Sequence, residues 1–280
     1  MKEKLIIGAF LLTSLVFSQE LVLDYQIGNF SKAESFSLAQ NQFIYVTDSE
    51  TNEVYKLDLS GNILKFIGGY GWSESAFDSP VDIFASTLNV YVTDKNNDRV
   101  QFFDKDLNYI SQFGSDRIDN YQYEFRYPTS AVISPLGDLF ILDSDNSRIL
   151  KFDLNGNFSL EVGNYDAGNF SLSNPIKFDI SSDLRLFVLD ESEIKIFDQF
   201  GGGLNKIKIE EGAVNIQLAM NLVTISYEEK ILLIDPQKSL THFEKYELDE
   251  DAPIMDSFVF RNQLFVLTEN YISVYNLPKE

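Results

Sequence analysis

The sequence predicts an all-β chain, a six-bladed β-propeller of four-stranded antiparallel blades. Three observations predict it. An apolar run ending in Asp, or a relative of it, recurs as "FIYVTD" to Asp48, "NVYVTD" to Asp94, "DLFILD" to Asp143, "RLFVLD" to Asp190, "LVTIS" to Ser226 and "QLFVLT" to Thr268. The intervals of 46, 49, 47, 36 and 42 residues carry six copies across nearly the whole chain, and a period of this size marks a repeat architecture. Each copy holds four short apolar stretches separated by polar turns. Such a unit cannot bury both faces alone, but it can when stacked sheet on sheet around an axis.

The elements follow in order. A strand led by Pro opens several blades, as in "SPVDIFAS", "YPTSAVIS" and "NPIKFDIS". The apolar run is the second strand. The third ends in "YKLD", "QFFD", "LKFD", "KIFD" or "LLID", and a Gly- or Asn-bearing turn such as "LSGN" or "LNGN" follows. The fourth ends near Gly, as in "ILKFIGG", "YISQFG" and "SLEVG". The blade cores are expected at about 33–68, 80–114, 128–163, 175–210, 213–248 and 253–276. The sixth copy lacks a fourth strand, while "LVLDYQIGNF" near the N-terminus reads as one. A strand at about 21–28 is therefore expected to complete the last blade, closing the ring and hiding its edges.

Residues 1–18 differ in kind. Lys2 and Lys4 precede an apolar run from Leu5 to Val16 that is shorter than an ordinary membrane span. Val16 and Ser18 suit the positions before a cleavage site, so a signal peptide cut after Ser18 is expected, and with it an exported, periplasmic or extracellular protein. Removing Lys2, Glu3 and Lys4 takes the formal charge from −21 to −22. A surface this acidic repels phosphate backbones and anionic lipid, so no nucleic-acid partner is expected. Cysteine is absent, which excludes disulfides, thiolate nucleophiles and iron–sulfur ligation.

The stretches "YVTDKNNDRVQFFD" and "FILDSDNSRILKFD" share Asp, Asn, Arg, a β-branched residue and Phe at fixed offsets. With the Gly–Phe–Pro linkers "GGYGWSESAFDSP" and "GNYDAGNFSLSNP", they resemble the NHL-repeat family of six-bladed β-propellers. Glu53 replaces the Arg in blade one, and blade four has a shorter turn without it. The resemblance implies the architecture. It does not imply one activity, because propellers host unrelated functions.

Asp94, Asn97 and Arg99 form a compact polar group that could be read as catalytic. Asp143 and Arg148 repeat the Asp94–Arg99 spacing, so the pairs are expected to be structural, with each Arg holding a carboxylate and turn carbonyls. The axial channel is the next candidate. Aligning the first strands places Phe36, Asp82, Ser130, Lys177, Asn215 and Met255 around it, with Asp82 as the single carboxylate. A small-ligand site there would use Asp82, Ser130, Lys177 and Asn215. Calcium needs several converging oxygen ligands, so no cofactor is expected, with an axial Ca²⁺ as the alternative. His242 is the one histidine. It stands in an outer-strand segment, which argues against a zinc site built on several histidines and against a serine triad.

The linkers between blades carry Tyr70, Trp72, Tyr121, Tyr123 and Tyr165, which the repeat does not require. Phe77, Phe125 and Phe170 recur before the following Pro and are expected between blades. Aromatic side chains on loops of a rigid scaffold suit a protein, peptide or glycan partner. The acidic stretch "ELDEDAP", Glu247–Pro253, reads as a solvated linker. The expected role is a non-catalytic binding scaffold, with a Ca²⁺-dependent lactonase-like hydrolase as the alternative.

Overall fold

The structure, a computed structural model, describes residues 21–40, 42–118 and 120–278. The expected signal peptide lies outside the described residues. Six four-stranded antiparallel sheets form the ring. Blade one comprises β2 (Ala33–Leu38), β3 (Ile44–Asp48), β4 (Glu53–Leu57) and β5 (Ile63–Gly68). Blade two comprises β6 (Pro80–Ala85), β7 (Asn89–Asp94), β8 (Arg99–Asp104) and β9 (Tyr109–Gly114), and blade three β10 (Ser130–Ile133), β11 (Leu139–Asp143), β12 (Arg148–Phe152) and β13 (Phe158–Val162). Blade four has β14 (Pro175–Ile180), β15 (Leu186–Asp190), β16 (Glu193–Phe197) and β17 (Gly203–Lys208). Blade five has β18 (Ala213–Ala219), β19 (Leu222–Tyr227), β20 (Lys230–Ile234) and β21 (Glu244–Glu247). Blade six joins β22 (Ile254–Phe260), β23 (Gln263–Thr268) and β24 (Ile272–Asn276) to β1 (Val22–Ile27). The pairs Leu23↔Tyr275 and Ile27↔Ile272 close the ring as the sequence predicts. Among the described residues no helix is long and apolar enough to cross a membrane.

Burial explains the strand patterns. The second strands are buried along their whole length, as in β3, β11 and β15. A strand covered on both faces reads as a continuous apolar run, the feature that reveals the repeat. The fourth strands lie on the rim, and β5 exposes most of its residues. Aromatic side chains fill the seams between blades. Phe77 packs with Tyr45 and Val54 of blade one and Val92 of blade two; at the next seam Phe113 of blade two meets both Phe125 of the linker and Phe152 of blade three. Phe170 packs edge-on to Phe197. All three therefore pack between blades, as their recurrence predicts.

Two sets of aspartates shape the turns. Asp58, Asp104, Asp153 and Asp198 end or follow third strands, and each accepts backbone amides two and four residues on, such as Ser60 and Asn62 from Asp58. This is the Asx turn that Asp favours, and it explains the recurring Phe-Asp ending. The second set, Asp48, Asp94, Asp143 and Asp190, ends second strands and holds the incoming linker. Their carboxylates accept the amides of Ser31, Asp78, Arg126 and Ser173 respectively.

Arg99 completes this arrangement in blade two. Its Nε donates to Asp94 Oδ2 at 2.8 Å, Nη1 to the Trp72 carbonyl and Gln112 Oε1, and Nη2 to the carbonyls of Ser73 and Ala76. All five guanidinium N–H donors have partners. Arg148 repeats the Nε bond to Asp143 at 2.9 Å and adds Glu161 and the Glu124 carbonyl. In blade four Lys195 takes the bracing role, with Nζ donating to Asp190 Oδ2 and the Ser171 carbonyl. The turn is two residues shorter, so Lys195 stands two positions into the third strand while keeping the five-residue spacing from its Asp. The repeated polar group is thus structural.

Removing the buried Arg99 takes the counter-ion from Asp94 and leaves the linker carbonyls of Trp72 and Ser73 without their side-chain donor, while Ala76 keeps Gln101. Arg99→Ala is expected to lower stability by about 3–5 kcal/mol in chemical denaturation. Arg148→Ala, at a more exposed brace, should cost less. Equal and small losses would show that the guanidinium does not hold the linker.

Candidate functional site

The innermost strands β2, β6, β10, β14, β18 and β22 surround the axis, each an edge of its own sheet. A β-bulge after the first residue sets the register of five of them: the pairing slips between Ala33 and Ser35, Pro80 and Asp82, Pro175 and Lys177, Ala213 and Asn215, and Ile254 and Asp256. The axial layer is therefore Ser35, Asp82, Ser130, Lys177, Asn215 and Asp256. Asp82, Ser130, Lys177 and Asn215 stand where the sequence predicts. Phe36 and Met255 do not. Phe36 is buried against Phe258, with ring centroids 4.5 Å apart, and Met255 occupies the bulge and packs on the apolar core between blades six and one. A one-residue slip exchanges the two faces of a strand. In blade six the misleading landmark is Pro253, one residue ahead of the strand's first paired residue; blade one has no Pro there.

Asp256 joins Asp82 in the axial layer, and Asp179 stands two residues beyond Lys177 on the same face of β14. Asp82 is thus not the single axial carboxylate. Lys177 Nζ lies 2.5 Å from Asp82 Oδ1 and donates to Ser35 Oγ at 3.1 Å. Ser35 Oγ in turn is 3.1 Å from Asp82 Oδ1 and 3.2 Å from Asp256 Oδ2. Ser130, fully buried, donates to the Phe178 carbonyl. Asn215 Oδ1 is buried and accepts no hydrogen bond.

The carboxylates also hold the blades together. Asp82 accepts the amides of Ile83 and, across the seam, Ala131; Asp179 accepts Ile180 and Leu218; Asp256 accepts Ser257 and Phe36. Ser37 Oγ accepts the Ala85 amide. Burial pushes Asp179 and Asp256 up to about 7, with the amides opposing the shift. Burial works against the charge of Lys177, but Asp82 and Asp256 outweigh it and raise its pKa.

An axial cavity of about 390 Å³ includes Asp82, Lys177, Asp179 and Asp256 in its wall. Its mouth lies among the turns joining first to second strands, at Gln40 and Met220. The aromatic linkers lie on the opposite face, beside the turns joining second to third strands. Tyr70 and Trp72 meet edge to face at 5.7 Å, and both are about two-thirds exposed, at 66% and 67%. Tyr121 is 85% and Tyr165 95% exposed. Tyr123 is instead stacked on Phe158, 3.5 Å between centroids and 6° from parallel. Between Tyr121 and Arg148 runs a polar groove of about 490 Å³. The acidic stretch is not wholly solvated, because Glu250 accepts hydroxyls of Tyr271, Ser273 and Tyr275. His242 is exposed just ahead of β21. Among the described residues no group of three or more His, Asp or Glu side chains converges to hold a metal.

Comparison with known proteins agrees with this architecture. The NHL repeat model matches residues 125–152, from Phe125 through the first three strands of blade three. The chain is a six-bladed β-propeller with one segment, residues 125–152, that matches the NHL repeat. No curated protein matches its sequence significantly. Among solved structures, a streptogramin B lyase is similar at 15% identity, with 93% of this chain and 88% of that chain covered and a TM-score of 0.63. A catalytically inactive variant of virginiamycin B lyase from Staphylococcus aureus, with quinupristin, is similar at 14% identity, with 92% and 100% covered and a TM-score of 0.62. A selenomethionine-substituted form of the same lyase has 16% identity, 93% and 90% coverage and a TM-score of 0.57. Likeness at these identities is one of fold.

The raised carboxyls have a signed consequence for stability. Between an ordinary carboxylate value near 4 and about 7, the folded chain holds a proton on Asp179 that the unfolded chain has released. This contribution to stability is greatest at low pH and is lost as pH rises through that interval. Asp179→Asn cannot ionise, so its stability relative to wild type should improve between pH 5 and pH 8 in urea titrations. A difference independent of pH would show that Asp179 ionises normally in the fold.

Proposed function

We propose that the protein is an exported, non-catalytic interaction propeller that presents its linker face to a partner protein or peptide. One observation carries this reading. Three consecutive linkers display Tyr70, Trp72, Tyr121 and Tyr165 to solvent on one face, over turns braced by Arg99, Arg148 and Lys195. Exposed aromatic anchors on a rigid platform bury large area at small entropic cost when a partner docks. The same face turns acidic over blades five and six, with Glu210, Glu211, Glu228, Glu229, Asp249 and Asp251 exposed. That favours a partner carrying basic residues beside apolar ones. Export rests on the leader-like segment 1–18.

The catalytic alternative draws on the axial carboxylates. Calcium would require oxygen ligands to converge without a competing cation, and the Lys177 ammonium already lies between Asp82 and Ser35. The binding reading is therefore preferred.

The test uses peptides selected from a displayed library against the wild-type protein. They should be rich in Lys and Arg, and the triple variant Trp72→Ser, Tyr121→Ser, Tyr165→Ser should bind them at least about tenfold more weakly, a loss of ~1.4 kcal/mol. Its melting temperature should stay within about 2 °C, as for other surface substitutions. Peptides that bind both proteins equally would remove the linker face from the function, and binding confined to a glycan array would reassign the partner to sugar.

A further inference from the structure

The axial cavity is a separate feature, on the opposite face from the linkers and independent of their role. Its polar wall is dominated by acceptors. Asp82, Asp179 and Asp256 contribute carboxylates, and Gln217 contributes a carbonyl oxygen. The Gln217 amide is oriented by its Nε2, which donates to the Phe36 carbonyl at 3.0 Å, so Oε1 is left buried and accepting no hydrogen bond. The one cation in the wall, Lys177, is already matched by Asp82. Three carboxylates against one ammonium disfavour an anion. Apart from Ser35, Ser37 and Gln40, the rest of the lining is apolar, including Leu38, Phe84, Phe178, Ile216, Met220 and Phe260. A volume near 390 Å³ falls within the range of small-molecule sites, roughly 300–1,000 Å³.

We propose that this cavity binds a small organic cation, an ammonium group bearing a short apolar body. The N–H donors meet Gln217 Oε1 and the free lone pairs of Asp179 and Asp256, while the body lies along Phe84, Met220 and Phe260 toward the mouth. A bare metal ion would leave those apolar walls without a partner. An uncharged apolar molecule would leave Gln217 Oε1 unpaired, an arrangement that discriminates strongly between ligands.

The titratable groups facing one another across the axis are Asp82 of β6, Lys177 and Asp179 of β14, and Asp256 of β22. The other three innermost strands contribute Ser35, Ser37, Ser130, Asn215 and Gln217 to the axial positions. A bound cation favours the ionised carboxylates, so binding displaces protons held on Asp179 and Asp256. By linkage, affinity rises as pH rises through about 7.

The experiment compares 2-phenylethylammonium with its uncharged analogue 2-phenylethanol and its anionic analogue 3-phenylpropanoate, by calorimetry and thermal shift on the full protein. The ammonium should bind at least about tenfold more tightly than the alcohol, the carboxylate should not bind, and affinity should increase up to about tenfold from pH 6 to pH 8. Asp179→Asn should weaken binding and reduce its pH dependence. Met220→Lys, at an exposed position of the mouth, should weaken it without lowering the melting temperature. Equal binding of the alcohol or carboxylate, no binding of the ammonium at millimolar concentration, or unchanged binding by both variants would overturn the proposal.

Discussion

The structure depends on how six open sheet edges meet at one axis. Every innermost strand is an edge strand, with amides on its open side that no neighbouring strand can accept. Buried donors of this kind must find partners. Asp82, Asp179, Asp256 and Ser37 take seven of them: those of Phe36, Ile83, Ala85, Ala131, Ile180, Leu218 and Ser257. Four of the seven bonds cross a seam between blades. The other two seams are crossed by hydroxyls, with Ser130 donating to the Phe178 carbonyl and Thr224 to that of Ser257. The ring is laced all the way round by side chains, and four of them, Ser37, Asp82, Asp179 and Asp256, also line the cavity.

This dual use explains the electrostatics of the channel. Carboxylates suit the edge amides because a carboxylate accepts two amides at once, one from its own strand and one from the next. Concentrating three of them in a buried space raises the cost of ionising each. Lys177 and Ser35 lie between Asp82 and Asp256 and relieve their repulsion, whereas Asp179 stands two residues farther along β14. On the linker face the order is reversed. There the Asp94, Asp143 and Asp190 carboxylates are matched by Arg99, Arg148 and Lys195, and the backbone they hold is the backbone that carries the exposed aromatic side chains.

The blades were legible in the sequence because their second strands are buried on both faces, which produces an unbroken apolar run at a regular interval. The braces at Asp94 and Asp143 were legible because they repeat. Lys195 follows Asp190 by the same five residues and so carried a usable signal, but it is Lys in place of Arg and the shorter turn sets it two positions into the third strand. The axial layer was legible only where Pro80, Pro128 and Pro175 mark the register, or where a polar residue such as Asn215 interrupts the apolar pattern. Ser35 and Asp256 were displaced by one residue, because a bulge moves a side chain from core to axis without leaving a mark in composition. Asp179 carried a usable signal: it stands two residues from Lys177, and period-two alternation places both on one face. The cavity itself had none, as it arises from six strands distant in sequence.

The strand that closes the ring is made first and its partner last. During synthesis β1 must wait for about 250 residues to follow it before β24 exists, roughly 10–50 s at ordinary elongation rates. Until then β1 has no strand to pair with, and blade six lacks its outer strand. A chaperone or export factor that engages the N-terminal segment would control the moment at which the whole ring becomes one cooperative unit.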